Sequence, residues 1–141
     1  MRAIVIDDER LARKELINLL NQLETVEVVG EAVNVDDAKE KIEQLQPDVI
    51  FLDIQMPEKT GFDLLEELDH VPHVIFTTAY DEYALKAFQV NALDYLLKPI
   101  EPKRLEDAIN KLIGKIEGGS KREEEGSFAN QKKLTLEDQV F

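Results

Sequence analysis

The 141-residue sequence contains no cysteine, which excludes disulfide scaffolds and thiolate metal sites and makes the fold indifferent to oxidation state. Histidine is scarce as well, with only His70 and His73 flanking the segment Val71-Pro72. Both are expected at the start of a strand, exposed and without a metal role. Bases are few against acids, 17 Lys and Arg to 30 Asp and Glu, giving a formal net charge of -13. Such a surface repels phosphate backbones, so this chain alone is not expected to bind nucleic acid. No apolar run approaches membrane-spanning length, and Arg2 with a few apolar residues before Asp7-Asp8 does not make a signal peptide. The expectation is a soluble, cytoplasmic protein with no membrane contact.

The acids are unevenly placed. Residues 1 to 117 hold 25 acids and 13 bases, residues 118 to 141 only 5 and 4. With 43% hydrophobic residues the chain has material for one compact domain and a short appendage.

Strand-like runs at Arg2–Asp7, Val26–Val33, Asp48–Asp53, His73–Thr77 and Leu93–Leu97 alternate with segments of helical period. The apolar stripes expected to form the core are Ala12, Leu16, Leu19, Leu20 and Leu23; Ala38, Ile42 and Leu45; Gly61, Leu65 and Leu68; and Leu105, Ala108, Leu112 and Ile116. Five βα units demand right-handed crossovers and a doubly wound parallel sheet of flavodoxin-like type, with strand order 2-1-3-4-5. After Ile116 comes Gly118-Gly119-Ser120 and a charged stretch through Ser127, which reads as a linker; Leu134-Thr135-Leu136 and Val140-Phe141 then show a strand-like alternation that reads either as a disordered tail or as the first strand of a second domain that has been cut off.

Polar groups stand at the carboxyl ends of these apolar runs: Asp7-Asp8, Asp53, Thr77-Thr78 and Lys98-Pro99. In the expected topology, the ends of strands 1 and 3 are neighbours, which brings Asp7, Asp8 and Asp53 together in the crevice where parallel sheets bind ligands. Three close carboxylates raise at least one pKa unless a cation is present, and Mg²⁺ suits an all-oxygen set that leaves room for a phosphoryl group. A carboxylate can attack phosphorus to give an acyl phosphate when the charge is neutralised from several sides; Lys98 and the Thr78 hydroxyl supply two of these. Singly, Asp8 could merely cap a helix, Thr78 line a turn and Tyr95 fill the core. Together at four strand ends, they indicate a site.

At these residues the sequence resembles the response-regulator receiver domains of two-component signalling. The likeness covers residues 1 to about 117 and rests on Ile4-Val5-Ile6-Asp7-Asp8-Glu9, Asp48 to Pro57 with Gly61, Thr77-Thr78-Ala79-Tyr80 and Asp94-Tyr95-Leu96-Leu97-Lys98-Pro99. It implies that Asp53 is the phosphoacceptor for a sensor histidine kinase, and that Asp7, Asp8, Asp53 and the Gln55 backbone carbonyl hold Mg²⁺. It further implies that Thr78 and Lys98 contact the phosphoryl group and that Lys98-Pro99 is cis. Tyr95 would be a switch aromatic coupled to Thr78, acting on a helix 4, strand 5 and helix 5 face that forms a homodimer. Gln55 and Tyr80 would tune hydrolysis, with the large Tyr80 slowing it.

Segments Phe76 to Ala84 and Ala87 to Ile100 resemble the subgroup with a LytTR-type DNA-binding domain after the receiver; DNA binding would then belong to a longer parent. The expected domains are thus a receiver over 1–117 and, over 118–141, a linker with the start of an effector. On this reading the chain is a phosphoacceptor rather than a turnover enzyme. Two other classes share features with it. An Mg²⁺-dependent phosphohydrolase with an aspartate nucleophile needs a second aspartate where Gln55 stands. A flavodoxin-like electron carrier conflicts with the acidic trio and lacks a phosphate loop after strand 1.

Overall fold

The computed structural model describes the backbone of residues 1–124 and the side chains through Gly118. The described residues divide into two units, the first Met1–Leu105 and the second beginning at Glu106. The first holds five strands, β1 (Arg2–Ile6), β2 (Glu27–Ala32), β3 (Val49–Leu52), β4 (His73–Thr78) and β5 (Asp94–Leu97). All pair in parallel in the order β2-β1-β3-β4-β5, the flavodoxin-like arrangement expected from the alternation of strands and helices.

Both faces of the central strands are buried, which is why β1 and β3 read as unbroken apolar runs rather than alternating ones. Ile4, Ile6, Ile50, Leu52, Val74 and Phe76 join a core with Val35, Ala38 and Ile42 of α2 (Val35–Leu45) and Phe62 and Leu64 of α3 (Gly61–Glu67). The alternate residues Ala3, Val5, Phe51 and Ile75 are equally buried, on the opposite face. Leu16 and Leu20 are the buried positions of α1 (Arg10–Asn21), which packs on β1 and β2. Caps set two helix starts: the Asn34 side chain accepts from Asp37 N–H, and Thr60 with Asp63 forms a reciprocal capping box before α3.

The short α4 (Ala84–Gln89) packs on β5 and buries only Ala87. The last helix, α5 (Pro102–Glu124), begins in the first unit. Within the second unit it buries Ala108, Ile109 and Leu112.

Several expectations need correction. The helix does not end where Gly118-Gly119 suggested a linker; it continues through Glu124. Two glycines cost roughly 1 kcal/mol each in a helix but do not clash with it, and the following Lys, Arg and Glu are good helix formers. Ile116, assigned to a core stripe, is 42% exposed, whereas Ile109 is buried. In α3 the buried residues are Gly61, Phe62 and Leu64, with Leu65 only half-buried, because a seven-residue helix offers too few turns to fix the phase of its stripe. Leu23 falls beyond the end of α1. His70 is exposed as expected, but His73 is half-buried within β4. The strand-like residues Leu134 to Leu136 and Val140-Phe141 lie outside the described residues.

Candidate functional site

The carboxyl ends of the strands carry the polar residues one position past the apolar runs. Backbone bonding places them there: Asp7 N–H donates to Ala32 C=O at 3.0 Å, Asp53 N–H to Ile6 C=O at 3.0 Å and Lys98 N–H to Thr78 C=O at 2.8 Å. The sheet ladder therefore continues one residue beyond β1, β3 and β5, and holds the two aspartates and the lysine on fixed backbone. Asp7 and Asp53 are buried, 3% and 5% exposed, while Asp8 is exposed.

These elements bring Asp7, Asp8 and Asp53 together: one carboxylate oxygen of each lies within 4.8 Å of the others. Lys98 reaches into the same space, donating from Nζ to Asp7 Oδ2 at 2.7 Å and to Asp53 Oδ2 at 3.4 Å. Burial pushes the Asp53 carboxyl up to about 6; Lys98 opposes that rise and Asp7 adds to it. Burial also disfavours the charge on Lys98, but the hydrogen bond it donates to Asp7 and the two negative charges outweigh it and hold the ammonium above its usual range. Among the described residues, nothing hydrogen-bonds or ion-pairs to the Asp8 side chain, and it does not cap α1, whose N-cap is Glu9 without a side-chain bond. The capping explanation for Asp8 is thereby removed. An all-oxygen donor set with an unpaired, solvent-facing member fits a hard divalent cation such as Mg²⁺.

Thr78 is fully buried at the end of β4, and its Oγ1 accepts from Tyr80 N–H at 3.3 Å. Tyr95, on β5, packs its ring 6.4 Å from that of Phe76 and donates its hydroxyl to the Tyr80 carbonyl. Tyr80 itself is 47% exposed. The Lys98-Pro99 peptide bond is cis.

Gly61, at the start of α3, is required by a close approach: a Cβ there would stand 2.5 Å from the Asp53 carbonyl oxygen and 3.0 Å from Leu52 Cγ. Two residues escaped the reading of the sequence. Arg13 donates to the Asp7 carbonyl at 2.9 Å while pairing with Glu31, and Tyr83 accepts from the Gln55 amide. Arg13 sits one turn into α1 among ordinary surface charges, and no spacing distinguished it. Tyr83 lay within a segment notable for its subgroup likeness, without a role attached.

The doubly wound sheet with an acidic crevice at its carboxyl edge defines a flavodoxin-like domain. Residues 3–110 match the response regulator receiver domain, and the chain belongs to that family. It is 48% identical over 114 residues to the transcriptional regulatory protein BtsR of Salmonella typhimurium, covering 79% of this chain and 48% of that protein. It is 46% identical over 114 residues to the sensory transduction protein LytT of Bacillus cereus, covering 79% of this chain and 46% of that one. These relatives agree with the LytTR-type subgroup suggested by the Phe76 to Ala84 and Ala87 to Ile100 segments. The response regulatory domain of mrkE from Klebsiella pneumoniae superposes with a TM-score of 0.73 at 35% identity, covering 80% of this chain and 95% of that domain. The chain spans about half the length of the curated relatives it matches. Among the described residues, no helix is long and apolar enough to cross a membrane.

Proposed function

We propose that this receiver domain is a phosphoacceptor switch in which Asp53 takes a phosphoryl group from a sensor histidine kinase. The observation that carries the reading is the buried Asp53 carboxylate, set between a second buried acid and the Lys98 ammonium at the mouth of the sheet crevice. An Asp53 carboxylate oxygen attacks phosphorus, the bond from phosphorus to the donor imidazole nitrogen breaks, and the nitrogen keeps the electron pair. The product is an acyl phosphate on Asp53.

Lys98 exchanges its carboxylate partner for a phosphoryl oxygen, and the Thr78 hydroxyl moves to another. Asp7, Asp8, Asp53 and the Gln55 backbone carbonyl would hold Mg²⁺, which when bound neutralises charge on the phosphoryl oxygens. Tyr95 responds to the movement of Thr78, since its hydroxyl is tied to the loop that Thr78 begins. The changed surface of α4, β5 and α5 then favours a homodimer, and in a longer parent protein it governs a DNA-binding effector. On this reading the chain works in the cytoplasm and promotes its own phosphorylation and dephosphorylation without turning over a separate substrate. A phosphohydrolase is disfavoured: the position of its second acid is filled by Gln55, whose amide is engaged by Tyr83.

Intact mass after incubation with acetyl phosphate tests the reading. One adduct that requires Mg²⁺ and is missing from Asp53→Asn is expected. An adduct that persists in Asp53→Asn, or none on the parent from either acetyl phosphate or a purified kinase, overturns it.

A further inference from the structure

We propose that Tyr83 is a positioning residue whose hydroxyl holds the Gln55 side chain, strapping the loop after β3 to the loop after β4 and slowing water attack on phosphorylated Asp53. The inference rests on the phosphoacceptor reading and adds a residue to it. Gln55 stands two positions beyond Asp53, and its Nε2 donates to the Tyr83 hydroxyl at 2.5 Å across 28 residues of sequence. Tyr83 belongs to the segment that begins at Thr78 and leads into α4. Since β3 and β4 are neighbours, the bond joins the two loops that leave the strand ends carrying Asp53 and Thr78.

One end of the strap is rigid. The Tyr83 ring centroid lies 6.2 Å from that of Phe62, a buried residue whose ring is in turn 5.0 Å from Phe76, and it stands at 90° to the Tyr80 ring with centroids 6.4 Å apart. Aromatic contacts of this kind fix the hydroxyl in space. The other end, Gln55, is exposed and has several free torsions, so the bond orders the amide rather than the phenol. An ordered amide beside the acceptor narrows the approach for water. Hydrolysis adds a water oxygen to phosphorus and breaks the bond from phosphorus to the Asp53 oxygen; protons pass to phosphate and solvent, and a narrowed approach raises that barrier.

The test follows loss of the phosphoryl adduct by intact mass after acetyl phosphate is removed, with Mg²⁺ present, for the parent, Tyr83→Phe, Gln55→Ala and the double variant. Tyr83→Phe keeps the ring and its packing, and Gln55→Ala keeps the backbone carbonyl. Each single variant is expected to lose phosphate about two- to tenfold faster, the range set by one neutral hydrogen bond. The double variant should match the singles instead of multiplying them, a non-additivity that a merely structural role for Tyr83 does not produce. Parent-like decay in Tyr83→Phe, or factors that multiply, overturns the strap and leaves Asp53 as acceptor. Failure of the parent to form an adduct on Asp53 with either donor overturns both.

Discussion

Lys98 Nζ donates to Asp7 Oδ2 at 2.7 Å, a bond that joins residues 91 positions apart. The two strands behind them are not neighbours: β3 and β4 lie between β1 and β5 in the sheet. Only a long, flexible side chain at the end of β5 can cross that gap, and in doing so it passes Asp53 at 3.4 Å. One ammonium thus offsets two buried carboxylates. Removing it leaves like charges without compensation, so Lys98→Met should lower stability near neutral pH by about 1–3 kcal/mol in the presence of a chelator. The check is the urea midpoint, and Mg²⁺ should recover part of the loss. An unchanged midpoint would show that Lys98 contributes nothing to holding the two acids.

Asp53 carries the opposite lesson, since its burial is a cost. Its folded pKa is about 6 against an ordinary value of 3.8. Between those values the folded protein keeps a proton that the unfolded chain has released, so stability falls as pH rises through the interval and the penalty is complete above it. Asp53→Asn has no such penalty. Without metal it should be more stable than the parent near pH 7, by on the order of 1–3 kcal/mol after allowance for solvent at the crevice mouth. Thermal melts across the acid range should show the gap closing as pH falls toward about 4. A gap independent of pH would assign the gain to something other than the charge.

A cation that binds the folded crevice and not the unfolded chain raises stability by mass action. Mg²⁺ should therefore raise the melting temperature of the parent. Asp8→Asn is the informative variant, because Asp8 is exposed and lacks a partner among the described residues, so its loss should cost little without metal. The Mg²⁺-dependent gain should shrink in Asp8→Asn, and titration calorimetry should report weaker binding. Equal gains in both proteins would remove Asp8 from the metal set.

Tyr80 stands two positions after Thr78, with its side chain toward solvent and its backbone engaged at both ends: N–H to Thr78 Oγ1 and C=O to the Tyr95 hydroxyl. Truncation to alanine keeps both backbone bonds and removes the ring, together with its contact to Tyr83. Tyr80→Ala should accordingly release phosphate faster than the parent, by about two- to tenfold, the effect of a barrier change near 1 kcal/mol. An equal or slower rate would take Tyr80 out of the control of hydrolysis.

Strict local patterns made the sheet and its acids legible in the sequence. Apolar runs as unbroken as Ile4-Val5-Ile6 and Val49 to Leu52 belong to strands covered on both faces, and an acid closing each run had to emerge at the crevice. Short helices were harder. Six-residue α4 has no complete stripe, and α3 hides Phe62 and Leu64 where its spacing favoured Leu65. Gly118-Gly119 looked like an ending because composition changed there, although the backbone stays helical through Glu124. Bonds such as Gln55 to Tyr83 and Arg13 to the Asp7 carbonyl depend on how two loops or a helix and a strand end are juxtaposed. No local period encodes that relation.

Gly61 gives the most direct test of how the backbone places the acceptor. Its N–H donates to Ile54 C=O at 2.9 Å, which draws the start of α3 against the segment leaving β3. At that approach a Cβ would come within 2.5 Å of the Asp53 carbonyl oxygen, a clash with backbone that no rotamer change can relieve. Either α3 moves outward, uncovering the buried Phe62 and Leu64, or the Asp53 peptide shifts and carries its carboxylate away from Lys98. Gly61→Ala should therefore cost roughly 2 kcal/mol or more, at the upper end for single substitutions, and should also slow formation of the Asp53 adduct. Urea unfolding and the acetyl phosphate time course measure the two effects separately. A variant as stable as the parent and phosphorylated at the same rate would mean that the close approach is not needed to hold Asp53 in place.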